Sequence, residues 1–204
     1  MPQSRRYKKK KSAGKAILAW IIVLAILAAA IFVFVSVFYE DTKKKLDEMN
    51  YPRTYSTYVE KAAKDYDLDP ALIYAVIHTE SGFDPKAESG VGAKGVMQMM
   101  PSSFEWLQEQ RGCAGQYTED DLFDPEICID YGSYLLKYFY DYYGTERSAI
   151  AAYNAGFVVS DWLNDTNYSS DGKNLDSIPY PETENYVDTV SYTHLRAHET
   201  SAHL

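Results

Sequence analysis

The side chain best suited to acid–base chemistry in this chain of 204 residues is that of Glu80. Ile73, Ile77 and Glu80 are spaced by four and three residues, so a helix over residues 70–81 places the carboxyl group on its apolar face. Burial disfavours the ionised carboxylate, and the negative end of the helix dipole acts in the same direction. A carboxyl group that keeps its proton near neutral pH can act as a general acid. The same spacing also fits a glutamate that ends an amphipathic helix and faces solvent.

Residues 90–101 form a second segment that could bind a ligand or take part in chemistry. Its three glycines allow the backbone to turn sharply or to approach a ligand closely. The segment lacks the Gly-Lys-Ser/Thr ending of a phosphate-binding loop, and its methionines also fit an ordinary core. Gln98 lies among apolar neighbours, so its amide needs hydrogen-bond partners either in the protein or on a sugar.

The elements that must hold these residues are predicted to be helices. Apolar and aromatic residues recur every three or four positions within residues 55–66, 72–77, 127–142 and 149–153. The helix boundary signals are Asp69 before Pro70, Thr145, Gly82, Gly156, and the capping-box pair Ser102 and Glu105. No stretch alternates as a strand does, so the sequence predicts a mainly α domain.

Residues 17–38 are apolar and uncharged, which predicts a single-pass transmembrane helix. These 22 residues would extend about 33 Å, and a bilayer core is about 30 Å thick. Seven basic residues lie in the preceding segment 1–16, which favours a cytoplasmic N-terminus and an extracytoplasmic remainder. A cleaved signal peptide is the alternative, although its apolar region normally spans only about 7–15 residues. Residues 39–54 are predicted to form a juxtamembrane stalk.

The charge and cysteine content restrict the function further. Outside the basic head the chain carries 13 basic and 29 acidic side chains, a balance that argues against a nucleic-acid partner. Cys113 and Cys128 are the only cysteines, and an extracytoplasmic location would permit a disulfide between them. The alternative is a pair of unlinked thiols, because the sequence does not give the distance between their Cα atoms.

Four blocks of the sequence resemble the signature blocks of the soluble-lytic-transglycosylase-type (SLT) catalytic domain. In chain order they are Glu80-Ser81-Gly82-Phe83, Gly95-Val96-Met97-Gln98-Met99-Met100-Pro101, Ala151-Ala152-Tyr153-Asn154-Ala155-Gly156 and Glu182-Thr183-x-x-Tyr186-Val187. Both their order and their spacing agree with the family. The resemblance covers residues 55–190 and implies a lysozyme-like, mainly α-helical domain.

The resemblance also implies an activity, cleavage of peptidoglycan glycan strands between N-acetylmuramic acid and N-acetylglucosamine without a cofactor. Glu80 matches the family's single catalytic acid/base, which yields 1,6-anhydromuramyl ends. The positions that match the substrate cleft or support the acid are Ser81, Gln98, Met100, Tyr153, Asn154, Glu182 and Tyr186. Two alternatives stay open: a lysozyme-like hydrolase of the same bond, and a wall-binding module without turnover.

The C-terminal residues 191–204 depart from the family pattern, which puts the closing helix in doubt. His194 and His198 in this tail have the i, i+4 spacing of zinc ligands. Leu195 stands where a metalloprotease helix would have glutamate, and the sequence offers no evident third ligand. We therefore expect no metal site.

Overall fold

The computed structural model describes residues 13–50 and 54–201. Residues 1–12, which hold most of the predicted basic segment, lie outside the described residues, as do residues 51–53 and 202–204. The chain divides into two compact units, one up to Asn50 and one from Tyr51 onward.

The first unit is one long helix, α1 (Ala13–Asn50). Its stretch Trp20–Tyr39 has a mean hydropathy of 3.2, and the described apolar side chains of this stretch are exposed. By length and composition α1 is therefore a candidate transmembrane helix, as predicted, although a signal sequence would have the same properties. The described part of the predicted stalk is helical, because α1 continues to Asn50.

The second unit is built from seven further helices within its described residues. They are α2 (Ser56–Tyr66), α3 (Pro70–Ser81), α4 (Pro101–Gln110), α5 (Pro125–Tyr143), α6 (Glu146–Ala155), α7 (Val159–Asn164) and α8 (Pro181–Ser201). Short 3₁₀ turns lie at Glu119–Phe123 and Gly156–Val158. Within residues 54–201, β pairing is limited to two isolated bridges that involve Lys94. The predicted mainly α fold is confirmed.

Most of the predicted helix boundaries are confirmed. The Asp69 side chain accepts a hydrogen bond from the backbone N–H of Ala71 at 2.8 Å, and Gly82 ends α3 in the left-handed region at φ 59°. Thr145 caps α6, which ends at Gly156. The capping box predicted from Ser102 is wrong. The N-cap residue of α4 is Met100, two residues before Ser102, and the helix begins at Pro101, whose fixed φ suits the first helical position.

Buried residues of α3 and of the helices that surround it form one hydrophobic core. Helix α8 packs on α3 and α6, while α5 packs on α2 and α6. Ile73, Ile77, Ile129 and Ile150 are fully buried between these helices. Helix α8 runs without interruption to Ser201, so the change of sequence pattern at Ser191 does not end the closing helix.

Candidate acid/base site

Glu80 lies in the last turn of α3, where its carboxyl group meets a residue distant in sequence. Its Oε1 accepts a hydrogen bond from the hydroxyl of Tyr186 on α8 at 2.7 Å. Burial raises the pKa of Glu80 to about 7, and the hydrogen bond from Tyr186 opposes that rise. Glu80 therefore holds a proton for much of the time near neutral pH. This agrees with the behaviour expected from its position on the apolar face of the helix.

Two tyrosine hydroxyls flank the carboxyl group, and both remain protonated. Burial raises the pKa of Tyr153 well above its usual range, and the nearby charge of Glu80 adds to the effect. The same two causes act on Tyr186. The Tyr153 hydroxyl donates to the backbone carbonyl of Met97 at 2.9 Å. Helices α6 and α8 thus present hydroxyl groups, and not phenolate anions, to the site.

A tight turn over residues 95–98 forms another wall of the site. Gly95 has φ 76°, and a Cβ atom there would lie 2.0 Å from the backbone oxygen of Leu122 and 2.9 Å from the sulfur of Cys128. Only glycine fits this position, since both the dihedral angle and the space exclude a side chain. Gln98 also has a positive φ, 46°, which is uncommon for a residue with a side chain.

The side chain of Gln98 is fixed by the loop that carries it. Its Nε2 donates to the carbonyl oxygens of Ala87 and Gly95, each at 3.0 Å. Both amide protons are thereby used, which leaves Oε1 as the group that can accept a hydrogen bond from a ligand. The sequence correctly indicated that this amide needs partners, and the structure provides them from the backbone.

Ser81 joins the acid-bearing helix to the same turn. Its hydroxyl lies 2.8 Å from the carbonyl oxygen of Val96 and 3.2 Å from that of Ile77. Because Val96 precedes Met97, the partner of Tyr153, the turn is held from both α3 and α6. The described contacts of Ser81 thus make it a support for the site.

The three remaining predicted site residues, Asn154, Glu182 and Met100, are exposed to solvent. Asn154 is exposed at the end of α6, and its Oδ1 accepts a hydrogen bond from the Thr183 hydroxyl at 2.7 Å. Glu182 is exposed in the first turn of α8, four residues before Tyr186. Met100, the N-cap residue of α4, is 38% exposed. The described contacts bring Glu80 together with Tyr186 and Tyr153, and they show no direct contact of Glu80 with these three.

Two supporting residues were missed by the sequence reasoning. Thr183 is buried and links α8 to α6 through Asn154. Lys94 is only 8% exposed, and its ammonium group lies 3.0 Å from Asp120 and 3.2 Å from Glu119. These ion pairs attach the segment of residues 90–101 to the 3₁₀ turn Glu119–Phe123, which precedes α5. A lone lysine in an apolar loop, followed by an acidic cluster about 25 residues later, was the available signal.

The predicted disulfide is absent, because Cys113 and Cys128 are both free. The Cys128 sulfur faces the turn of the site and accepts a hydrogen bond from the backbone N–H of Met97 at 3.4 Å. The Cys113 sulfur lies instead 3.3 Å from the Tyr131 hydroxyl. The two side chains thus have separate partners, and burial raises the pKa of Cys128 to about 12.

His194 and His198 gain a third neighbour that sequence spacing could not show. Asp69 approaches both rings, with one oxygen 2.9 Å from Nε2 of His194, and the possible ligand atoms of the three residues lie within 4.8 Å of one another. Asp69 already caps α3, and His194 also contacts Glu146 at 3.2 Å. These polar groups satisfy one another as hydrogen-bond partners. The expectation of no metal site stays a prediction.

The fold and the Glu80 environment define a lysozyme-like helical domain with a candidate acid/base centre. The profile of the family described as the Transglycosylase SLT domain matches residues 57–175. The chain belongs to this family, and the resemblance to it is confirmed; the first three of the four sequence blocks lie within the matched residues.

Known proteins support this assignment in sequence and in structure. The soluble lytic murein transglycosylase of Escherichia coli K12 is 32% identical over 70% of this chain and 23% of its own length. Membrane-bound lytic murein transglycosylase C of Actinobacillus succinogenes is 35% identical over 51% of this chain and 32% of its own. An inactive mutant of the lytic transglycosylase Slt of Pseudomonas aeruginosa superposes with a TM-score of 0.66 at 28% identity, over 76% of this chain and 26% of that one. The chain thus spans about a quarter to a third of the length of these relatives.

Proposed function

We propose that this chain is a membrane-anchored peptidoglycan lytic transglycosylase whose single acid/base is Glu80. The observation that carries the proposal is the desolvated carboxyl group of Glu80, with a pKa raised to about 7 and a hydroxyl donor at 2.7 Å. Family membership supports the same reaction, and the relatives named above are lytic transglycosylases. The catalytic domain is assigned to residues 55–190.

The first step is protonation of the leaving group. Glu80 donates its proton to the glycosidic oxygen between N-acetylmuramic acid and N-acetylglucosamine, and the bond from that oxygen to C1 of the muramyl residue breaks. A pKa near the working pH suits this role, because the group must be protonated and must also release its proton readily. The Tyr186 hydroxyl then stabilises the carboxylate that forms.

In the second step Glu80 acts as the base. Its carboxylate accepts the proton of the muramyl C6 hydroxyl while the C6 oxygen bonds to C1, which yields a 1,6-anhydro product and restores the acid. Hydrolytic glycosidases of the retaining type need a second carboxylate about 5–5.5 Å from the first. An internal hydroxyl nucleophile removes that need, since its effective concentration is very high. The exposed position of Glu182 agrees with a cleft residue that is not a second catalytic group.

The surrounding residues are assigned to the substrate cleft. The free Oε1 of Gln98 accepts a hydrogen bond from a sugar hydroxyl or amide. The Thr183 hydroxyl holds Asn154 through its Oδ1, and Asn154 offers its side-chain amide protons to the ligand. Tyr153 and Ser81 hold the turn that carries Gln98. Met100 and Glu182 are assigned to the exposed rim.

Membrane association rests on α1, and we propose that residues 17–38 cross the bilayer. The basic residues 1–16 then lie in the cytoplasm, and residues 39–54 connect the helix to an extracytoplasmic catalytic domain. This orientation places the domain in the compartment that contains the cell wall. A protease added to intact spheroplasts tests it, since an extracytoplasmic domain is digested, whereas a cytoplasmic one survives until the cells are lysed.

The catalytic proposal is tested by digestion of purified sacculi with the full-length chain in detergent. We expect soluble muropeptides with 1,6-anhydromuramyl ends by mass spectrometry. For Glu80→Gln we expect a loss of release of at least about 100-fold, because general acid catalysis contributes about 10²–10⁴-fold. Sedimentation with sacculi should be preserved in this variant. Ordinary reducing ends would instead establish a hydrolase, and sacculus binding without any product would establish a wall-binding module.

A further inference from the structure

The side-chain amide of Asn154 is held by a buried hydroxyl group of α8. The Thr183 hydroxyl donates to Oδ1 of Asn154 at 2.7 Å. Thr183 is only 3% exposed, whereas Asn154 is exposed at the end of α6. The amide oxygen of Asn154 is therefore turned toward the interior. The NH2 group, which occupies the other corner of the planar amide, is left for a partner outside the protein core.

The same face of α8 also carries the partner of the acid. Thr183 and Tyr186 are three residues apart, so they are neighbours on one face, about 4.5 Å apart along the helix axis. The Tyr186 hydroxyl donates to Glu80 at 2.7 Å, and the Thr183 hydroxyl donates to Asn154. Two hydrogen bonds from adjacent positions of α8 thus place the amide of Asn154 beside the candidate acid.

The hydroxyl of Thr183 favours one of the two possible orientations of the amide. A buried hydroxyl needs an acceptor for its proton, and a buried donor without one is costly. Among the contacts of residues 54–201, Oδ1 of Asn154 is the acceptor for the Thr183 proton. An amide turned by 180° would present its NH2 group to Thr183 and leave that proton without this acceptor. Asn154 is therefore oriented by the protein before a ligand arrives.

We propose that Thr183 is a positioning residue of the substrate cleft, which keeps the NH2 group of Asn154 available to donate to an oxygen of the glycan. This inference rests on the function proposed above and deepens it, because it assigns the chemistry of the ligand group. The partner of Asn154 is a hydrogen-bond acceptor, such as a carbonyl or ether oxygen. Gln98 has the opposite polarity, since its NH2 group is bonded to Ala87 and Gly95 and its oxygen is free.

The substitution Asn154→Asp tests the polarity of the amide. The aspartate keeps an oxygen that accepts from Thr183, but it replaces the NH2 group with an acceptor. We expect kcat/KM for muropeptide release to fall at least about tenfold, because a donor is lost and two acceptors then face each other. Each chain is measured at its own optimum pH, since a new carboxylate also affects the protonation of Glu80. A change of less than about twofold would overturn the inference.

The substitution Thr183→Val tests the positioning role, because it removes the hydroxyl and keeps the branched shape. We expect kcat/KM to fall about fivefold, which corresponds to the loss of one neutral hydrogen bond, with the larger part of the change in KM. Thr183→Ser retains the hydroxyl and should stay within about twofold. Thr189→Val is the matched control on α8, since Thr189 is exposed and its hydroxyl donates to the Asn185 carbonyl of the same helix.

A double-substitution cycle separates positioning from a purely structural role. If Thr183 acts through Asn154, Thr183→Val should cause no further loss of activity in a chain that already carries Asn154→Ala. A role in packing alone would lower activity by the same factor with and without Asn154→Ala. Equal factors in the two backgrounds would therefore overturn the inference. The free energy of unfolding of each full-length chain is measured separately by chemical denaturation in detergent.

The outcomes also separate this inference from the proposed function. If the unsubstituted chain yields no anhydromuramyl ends from sacculi, the proposed function itself fails. If it yields them and both Asn154→Asp and Thr183→Val cleave like Thr189→Val, the oriented amide does not bind the glycan. If Thr183→Val does not fold, Asn154→Asp decides alone, because this exposed position tolerates the change.

Discussion

The pairing of Glu80 with Tyr186 sets the acidity of the site. Burial alone would push the pKa of the carboxyl group further upward, and the hydrogen bond from Tyr186 restrains it to about 7. Burial also keeps Tyr186 protonated, so its hydroxyl remains a donor throughout the physiological pH range. The donor favours the charged form of Glu80, which is the form that the proposed second step requires of the base.

Replacement of Tyr186 by phenylalanine tests this balance. The loss of the donor should raise the pKa of Glu80, so the fall of kcat/KM above neutral pH should move upward by about one pH unit. The measurement is the pH profile of muropeptide release. Tyr153→Phe is the control for the position of that fall, because the Tyr153 hydroxyl donates to Met97 and not to Glu80. A fall that stays in place or moves to lower pH contradicts the assignment.

At the scale of the elements, the loop between α3 and α4 is the part that depends most on a specific backbone conformation. It carries Gln98, and its turn accepts hydrogen bonds from Ser81 of α3 and Tyr153 of α6. Gly95 makes the turn possible where the backbone passes Leu122, and Lys94 attaches the loop to the neighbouring acidic turn. The loop is thus held by helices on several sides although it contains no regular structure of its own.

Gly95→Ala should damage both stability and activity. A methyl group would meet backbone at 2.0 Å, so we expect the free energy of unfolding to fall by about 2 to 4 kcal/mol. Gly92→Ala is the matched control, because Gly92 has φ 89° but open space around it, and only about 1 kcal/mol should be lost. Chemical denaturation followed by circular dichroism measures both. Equal losses would mean that the close approach at Gly95 does not matter.

The sequence predicted the helices better than it predicted this loop, for physical reasons. Asp69, Thr145, Gly82 and Gly156 act through contacts within one turn of chain, which local sequence encodes. Glu80 could be recognised because helical spacing determines the face on which it lies. Its partner Tyr186 is 106 residues away, so the resemblance to a family could indicate it, whereas local patterns could not. The separate partners of Cys113 and Cys128 depend in the same way on tertiary packing.

At the scale of the whole molecule, the chain combines an exposed apolar helix with a globular unit. The apolar side chains that the structure describes in Trp20–Tyr39 of α1 are exposed, as expected of a helix surrounded by an apolar solvent such as a bilayer. The second unit has its own core, to which α2, α3, α5, α6 and α8 contribute. The proposed membrane attachment and the proposed catalysis should therefore be separable by substitution.

Arginine substitutions in α1 test the anchor. Leu27→Arg combined with Ile31→Arg should cost about 6 kcal/mol of insertion free energy, since each replaces an apolar residue near the helix centre. We expect this chain to leave the membrane fraction on alkaline extraction, while its activity on sacculi in detergent is retained. Leu27→Phe with Ile31→Phe is the control and should remain in the membrane fraction. An arginine variant that stays in that fraction contradicts a transmembrane α1.

The distance in sequence between Glu80 and Tyr186 has a consequence during biosynthesis. A nascent chain that ends before Pro181 contains the acid, but it lacks the hydroxyl that restrains the acid's pKa and the helix that covers α3. The pair of Glu80 and Tyr186 forms only after α8 has left the ribosome and docked. An interrupted translation product that lacks α8 therefore carries an incomplete centre.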